Sequence, residues 1–245
     1  MKYIQQQQQR LKKMKTVSVK QEYEKKFAQW AKGTEYEGLT DRIADLYKEL
    51  EPYSYATDYY SETVRTVELA NFAMSVARLF VKNGEEYDFD PAKAASLAET
   101  FYKDWYLPID KESFVAVMDS YEKNVPEDFK PAFYKEQMEK YGNASAWAED
   151  MFTNSMFVDE AKVLALTSAD RPAVMDDPAV RFFNEFLKWY YADILPVTQR
   201  LNQELQLAYR DYMRGQMVYC RTQRIMKDFY PDANLTLRVA YGHIK

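Results

Sequence analysis

Apolar residues return along this chain at intervals of three and four, the spacing of helices that bury one face. Between Tyr3 and Lys32 there is neither glycine nor proline. Val19, Tyr23, Phe27 and Trp30 share one helical face there, and Ile4, Leu11 and Met14 another. The β-branched seam Thr16-Val17-Ser18-Val19 between them predicts a bend, and Gly33 a left-handed stop. A second helix is expected over about 41–50, ending at Pro52, since proline lacks the donor that would continue it. A third, over about 57–82, turns Val64, Val67, Ala70, Phe72, Met74, Ala77 and Phe80 inward and stops at Asn83-Gly84. Asp90-Pro91 reads as a cap with proline in the first turn, opening a helix that carries Leu97, Phe101 and Trp105 toward Pro108.

Asp110 is expected to cap the next helix, which holds Phe114, Val117 and Met118 and runs toward Pro126. Shorter helices follow near 131–141, 144–152 and 158–166, with Gly142 and the N-cap Asn143 dividing the first two. A second Asp-Pro pair, Asp177-Pro178, opens the longest stretch, to about residue 227, which Pro196 is expected to kink or break. Only the end changes period. Leu235 to Tyr241 alternates in twos between Pro231 and Gly242, as a strand does. One strand makes no sheet, so this end is expected to pair with something outside the chain. The fold class is therefore all-α: an irregular multi-helix bundle with a long kinked C-terminal helix and one short terminal β-strand.

Composition then removes chemistry. Average usage would give 245 residues about 17 glycines. The chain has 6, no two closer than five residues, which excludes both glycine-rich phosphate cradles. Cys220 and His243 are each the only residue of their kind, so an intrachain disulfide, a thiolate zinc site and paired-histidine metal helices are excluded. No cofactor is expected. A balance of 33 basic against 38 acidic residues gives a charge of −5, which favours neither nucleic acid nor an anionic membrane. The longest apolar run, Leu69 to Val81, contains Arg78 and is too short to span a bilayer. No secretory signal opens the chain: Met1-Lys2-Tyr3-Ile4 leads into the Gln5–Gln9 tract, read as exposed helix. A cytoplasmic protein and a piece of a longer one would both begin this way.

The remaining constellations have plain explanations. His243, near the terminus, reads as uninvolved and Cys220 as a small core residue. The pairs Glu149-Asp150, Asp159-Glu160 and Asp176-Asp177 diverge by about 100° on a helix, too far to act as joint acid and base. Tyr53, Tyr55, Tyr59 and Tyr60 are better read as packing than as a stacking platform. Two N-x-[ST] matches, at Asn143 and Asn234, are common by chance. One pattern is more regular. Arg210, Arg214, Arg221 and Arg224 fall within an arc of about 80° on the last helix, opposite Leu201, Leu205, Ala208, Tyr212, Tyr219 and Met226. That stripe is either a solvated, salt-bridged face or a contact for carboxylates from another domain or from an acidic ligand.

The tail Tyr230-Pro231-Asp232-Ala233-Asn234-Leu235-Thr236-Leu237-Arg238-Val239-Ala240-Tyr241-Gly242 resembles the P-D-A-N-x-T-x-R-x-x-Y-G segment of the bacterial dipeptidyl-peptidase 7 and 11 family of serine exopeptidases. Similar runs occur at Lys20 to Trp30, at Met151 to Ser155 with Phe157 and Asp159, at Asp177-Pro178 and at Arg210 to Met213. The resemblance implies an all-helical domain that covers the cleft of a chymotrypsin-like double β-barrel. Residues 1–230 would be that helical cap, and 231–245 the strand leading into the barrel. The implied partners are the β-barrel peptidase domain of the same polypeptide and, through it, a peptide substrate; neither nucleic acid nor a membrane span is among them. The implied compartment is the periplasm. No G-[DN]-S-G nucleophile segment occurs in the chain, so no catalytic residue carries over, and the chain alone is expected to be inactive. Arg210, Arg214, Arg221, Arg224 and Arg238 are the candidate interdomain contacts. The alternative is a free-standing helical protein-interaction module.

Overall fold

A computed structural model describes residues 2–82, 85–86 and 89–225. The helices are α1 (Lys2–Lys13), α2 (Thr16–Ala31), α3 (Leu39–Glu62), α4 (Glu68–Ala77), α5 (Pro91–Asp104) and α6 (Leu107–Asn124). They continue with α7 (Ala132–Tyr141), α8 (Ala144–Asn154), α9 (Glu160–Leu164), α10 (Arg171–Asp176), α11 (Pro178–Trp189) and α12 (Leu195–Thr222). The all-α class read from the apolar period is therefore observed. Contacts divide the chain into two compact units, Met1–Lys48 with Asn202–Lys245, and Glu49–Leu201.

In the first unit α2 and α12 meet through aromatic side chains. Phe27, 1% exposed, lies edge-on to Tyr212 and Tyr219 at 5.2 and 5.8 Å between ring centroids. Trp30 stacks on Tyr36 at 5.9 Å. Gly215 is the seat for this cluster: a Cβ there would come within 3.0 Å of both the Phe27 and Tyr36 rings. Gly33 has φ +74°, the left-handed stop expected after α2. The bend between α1 and α2 is taken by Lys15 at φ 49°, one residue ahead of the β-branched seam, which stays helical. The second apolar face finds no burial among the described residues: Ile4, Leu11, Met14 and also Val19 are exposed.

The second unit holds the larger core. Small residues on α4 (Ala70, Ala73 and Ala77) are buried and permit its close approach to α11, which contributes Phe182 and Phe186. Phe114, Met118 and Tyr121 of α6 and Trp147 and Met151 of α8 complete the interior. Each large apolar side chain buried here contributes about 1.5–3 kcal/mol.

Two expectations are corrected. Pro52 does not end a helix at residue 50 but lies inside α3. The carbonyl that loses its donor belongs to exposed Lys48, where water can replace the bond. The helix expected over 57–82 is divided into the end of α3, a 3-10 turn at Val64–Thr66, α4, and a second 3-10 turn at Arg78–Phe80. It is followed by β1 (Val81–Lys82), paired antiparallel with β2 (Glu85–Glu86). Val81, at φ −138° and ψ 131°, is already extended, so the helical backbone ends before Asn83-Gly84. Pro196, where a kink or a break was expected, leaves the last stretch continuous with a wider turn just ahead of it. The five residues Tyr190–Ile194 form a π-helical turn, and the Leu195 N–H reaches back to the Tyr190 carbonyl. This wider turn is the local irregularity that accompanies the proline. The terminal strand expected at Leu235–Tyr241 lies outside the described residues.

Candidate functional site

The basic stripe occupies the exposed face of α12 in the first unit. Arg210, Arg214 and Arg221 are all exposed, with Leu207, Met217 and Val218 exposed among them. Opposite, Leu201, Leu205, Ala208 and Tyr219 are buried and Tyr212 is half-buried, as the helical projection predicts; Met226 is outside the described residues. Arg210 donates from Nε and Nη2 to Oδ1 of the adjacent Asp211 at 3.2 and 3.1 Å. Neither Arg214 nor Arg221 has a carboxylate partner among the described residues.

Arg224 departs from the arc. It lies past the end of α12 at φ 55°, with its N–H on the Arg221 carbonyl at 3.2 Å and the Ile225 N–H on the Cys220 carbonyl at 2.9 Å. Those two bonds are the helix-ending Schellman arrangement, with arginine in the left-handed position usually held by glycine. Arg238 and His243 lie outside the described residues.

The acidic pairs are used structurally. Glu149 pairs with Lys111 at 2.5 Å, and Asp150 accepts from the Tyr141 hydroxyl and from Asn154. Asp159 caps α9 by accepting the Ala161 N–H. Asp177, 4% exposed, caps α11 by accepting the Ala179 N–H at 2.9 Å. It also holds the Ser155 hydroxyl at 2.9 Å and the Met156 N–H at 2.8 Å.

Asp110, 3% exposed, does not cap its own helix, whose N-cap is Tyr106. Its carboxylate caps α4 instead, accepting from the N–H groups of Glu68 and Leu69 at 2.9 and 2.8 Å and from Trp105 Nε1 at 3.0 Å. The negative charge thus lies at the positive end of the α4 dipole. Burial first, and then the Asp110 charge, push the Glu68 carboxyl above its usual range. Sequence reasoning placed Asp110 at a helix start but could not see that it serves a helix some 41 residues earlier.

The tyrosine group is packing: Tyr53 meets Phe129 edge-on at 5.1 Å, and Tyr59 faces Tyr55 at 4.8 Å. Cys220 is buried, with the Tyr23 hydroxyl 3.5 Å from its sulfur. Among the described residues no group of three or more His, Cys, Asp or Glu side chains is arranged to hold a metal ion. None of the described helices is long and apolar enough to cross a membrane. Among the described residues, the outer face of α12 combines exposed arginines with exposed apolar side chains. It offers forked donors for carboxylates beside side chains that gain by leaving water.

The sequence model of the family described as Peptidase S46 matches residues 1–245. An Asp/Glu-specific dipeptidyl-peptidase of Flavobacterium psychrophilum is 29% identical over 249 residues, covering 96% of this chain and 34% of that protein. A dipeptidyl-peptidase 7 of Porphyromonas endodontalis is 27% identical over 251 residues, covering 96% and 29%. An Asp/Glu-specific dipeptidyl-peptidase of Porphyromonas gingivalis is 31% identical over 151 residues, covering 58% and 19%. The chain spans about a third of the length of the curated relatives that it matches along nearly all of its own.

Proposed function

Because this chain belongs to the Peptidase S46 family, we propose that it is the non-catalytic helical domain of a periplasmic serine dipeptidyl-peptidase, covering the active-site cleft and gating access to it. The observation that carries this reading is that 96% of the chain aligns with only 34% of a dipeptidyl-peptidase. The prevalence of helix and the structural employment of the buried carboxylates support it. Such a domain contributes closure: it excludes water from the reacting centre and limits the length of peptide that fits, so that a dipeptide is released from the N-terminus. The catalytic serine, histidine and aspartate would belong to the β-barrel peptidase domain of the same polypeptide.

Arg210, Arg214 and Arg221 would meet carboxylates of that domain, with Leu207, Met217 and Val218 buried beside them; Arg224 and Arg238 would extend the contact. The purified 245-residue chain is expected to give no turnover of fluorogenic dipeptidyl substrates, and measurable hydrolysis would overturn the reading. In the full-length enzyme, reversing Arg210, Arg214 and Arg221 to Glu is expected to loosen the contact. The measurable consequence is faster limited proteolysis around residues 202–225, with the residual active site still reacting with a small serine-directed inhibitor.

A further inference from the structure

Tyr47 of α3 and Tyr209 of α12 stand together on the surface of the first unit, although 162 positions separate them in the chain. Their hydroxyls share a hydrogen bond at 3.0 Å, and their rings meet edge-on with centroids 6.3 Å apart. Each follows a buried neighbour, Leu46 and Ala208, so the two backbones are held while the rings stay outside. Tyr47 is 49% and Tyr209 41% exposed, enough for a dissolved oxidant to reach both. On α12, Tyr209 projects about 100° away from Arg210, to one side of the arginine stripe. Among the described residues, every other pair of facing tyrosine rings has a buried or half-buried member. The most open of these, Tyr55 with Tyr59, lies within one turn of α3 and ties no distant segments together.

Two phenols so placed share a specific chemistry. A one-electron oxidant takes the hydroxyl hydrogen, as an electron and a proton, and the unpaired spin spreads to the ring carbons ortho and para to the oxygen. The para carbon carries the rest of the side chain, so the ortho Cε atoms are the ones free to join. Those carbons adjoin the ones bearing the oxygens, and a hydroxyl pair at 3.0 Å therefore brings them near each other. Exposed side chains change rotamer in picoseconds to nanoseconds, which supplies the remaining approach. A partner held this close reacts at a far higher effective concentration than a tyrosine of another chain. The shared bond first, and then burial, push the Tyr209 phenol up to about 12, so it meets the oxidant with its proton in place.

We propose that Tyr47 and Tyr209 form an oxidative cross-linking site, joined by a haem peroxidase and hydrogen peroxide into a dityrosine that locks α3 to α12. Each phenol loses one hydrogen atom, the two radicals pair into one Cε–Cε bond, and the hydrogens displaced from those carbons return to the oxygens. The two hydrogens removed reduce one hydrogen peroxide to two waters. The new bond closes a loop that contains all of Glu49–Leu201. It therefore restricts the unfolded chain as a disulfide across a long loop does. Nothing in this step depends on reading the chain as part of a peptidase.

The dilute 245-residue chain is treated with a haem peroxidase and limiting hydrogen peroxide, digested with trypsin and read by mass spectrometry. The expected main coupling product joins residues 43–48 to residues 201–210 and is two hydrogens lighter than the sum of the two peptides. Its yield should fall about tenfold or more when the chain is oxidised in urea. It should vanish in Tyr47→Phe and in Tyr209→Phe, each of which keeps an exposed ring and should melt like the parent. The purified cross-linked chain should melt about 5–10 °C higher than the untreated one. Equal yield in urea, or products dominated by joins between chains or by the more exposed Tyr106 and Tyr191, would overturn the site. Cross-linking with an unchanged melt would overturn the lock.

Discussion

Within Glu49–Leu201 helix ends are tied by buried carboxylates. Asp110 holds the start of α4, and Asp177 holds both the start of α11 and the turn at Ser155–Met156. Within Met1–Lys48 and Asn202–Lys245 two helices are joined by rings, with Phe27 against Tyr212 and Tyr219 and a glycine between. The first arrangement fixes direction through hydrogen bonds to charge. The second relies on area and shape, which are less specific about register but tolerate an exposed, partner-seeking face on the same helix. The aromatic unit carries the proposed docking surface.

The largest expected effect tests whether the two behave separately. Phe27→Ala removes a fully buried ring and should cost about 3–5 kcal/mol. Native-state hydrogen exchange is expected to show α2 deprotected while α11 keeps its protection; simultaneous loss in both would mean that the units open as one. Next, Asp177→Ala leaves three donors without their acceptor and should cost about 3 kcal/mol in a denaturant melt, with exchange rising at Met156 and Ala179. A cost below about 1 kcal/mol would remove the charge-tied description of that unit.

A pH-dependent effect is expected to be smaller. Burial pushes the Asp177 carboxyl up, and hydrogen bonds from Met156, Ala179 and Ser155 pull it part of the way back. The native chain therefore holds that proton more tightly than the unfolded chain, and stability falls as pH rises between the unfolded and native values. Ser155→Ala removes one downward pull and raises the native value further. Its cost should be about 1–2 kcal/mol at pH 7 and smaller at pH 4, read from paired melts. Smallest is Gly215→Ala. Improved helix propensity of about 1 kcal/mol is opposed by overpacking of about 1–3 kcal/mol against the Phe27 and Tyr36 rings. A net loss of about 1 kcal/mol is expected, and a gain in stability would show that the rings can yield.

What the sequence revealed was local. Asp90-Pro91, Asn143 and Asp177-Pro178 were readable as caps because cap and capped N–H groups lie within three residues. Gly33 was readable because the left-handed position follows directly on its helix. The failures were tertiary. Pro52 looks like a breaker until the exposure of one carbonyl absorbs it. Asp110 points to a partner helix that only folding brings near. The arginine stripe was legible as a period and failed at Arg224, where the helix had already ended.

The pairing of α2 with α12 also sets a timetable. Tyr23 and Cys220 are 197 positions apart. At a ribosomal rate of about 5–20 residues per second, Phe27 and Trp30 must wait roughly 10–40 s for the rings that shelter them. All of Glu49–Leu201 emerges during that interval and can fold first, having its partners to hand. The early helix meanwhile presents an aromatic stripe to whatever is nearby, a period in which a chaperone has something to hold and a neighbouring nascent chain has something to mispair with.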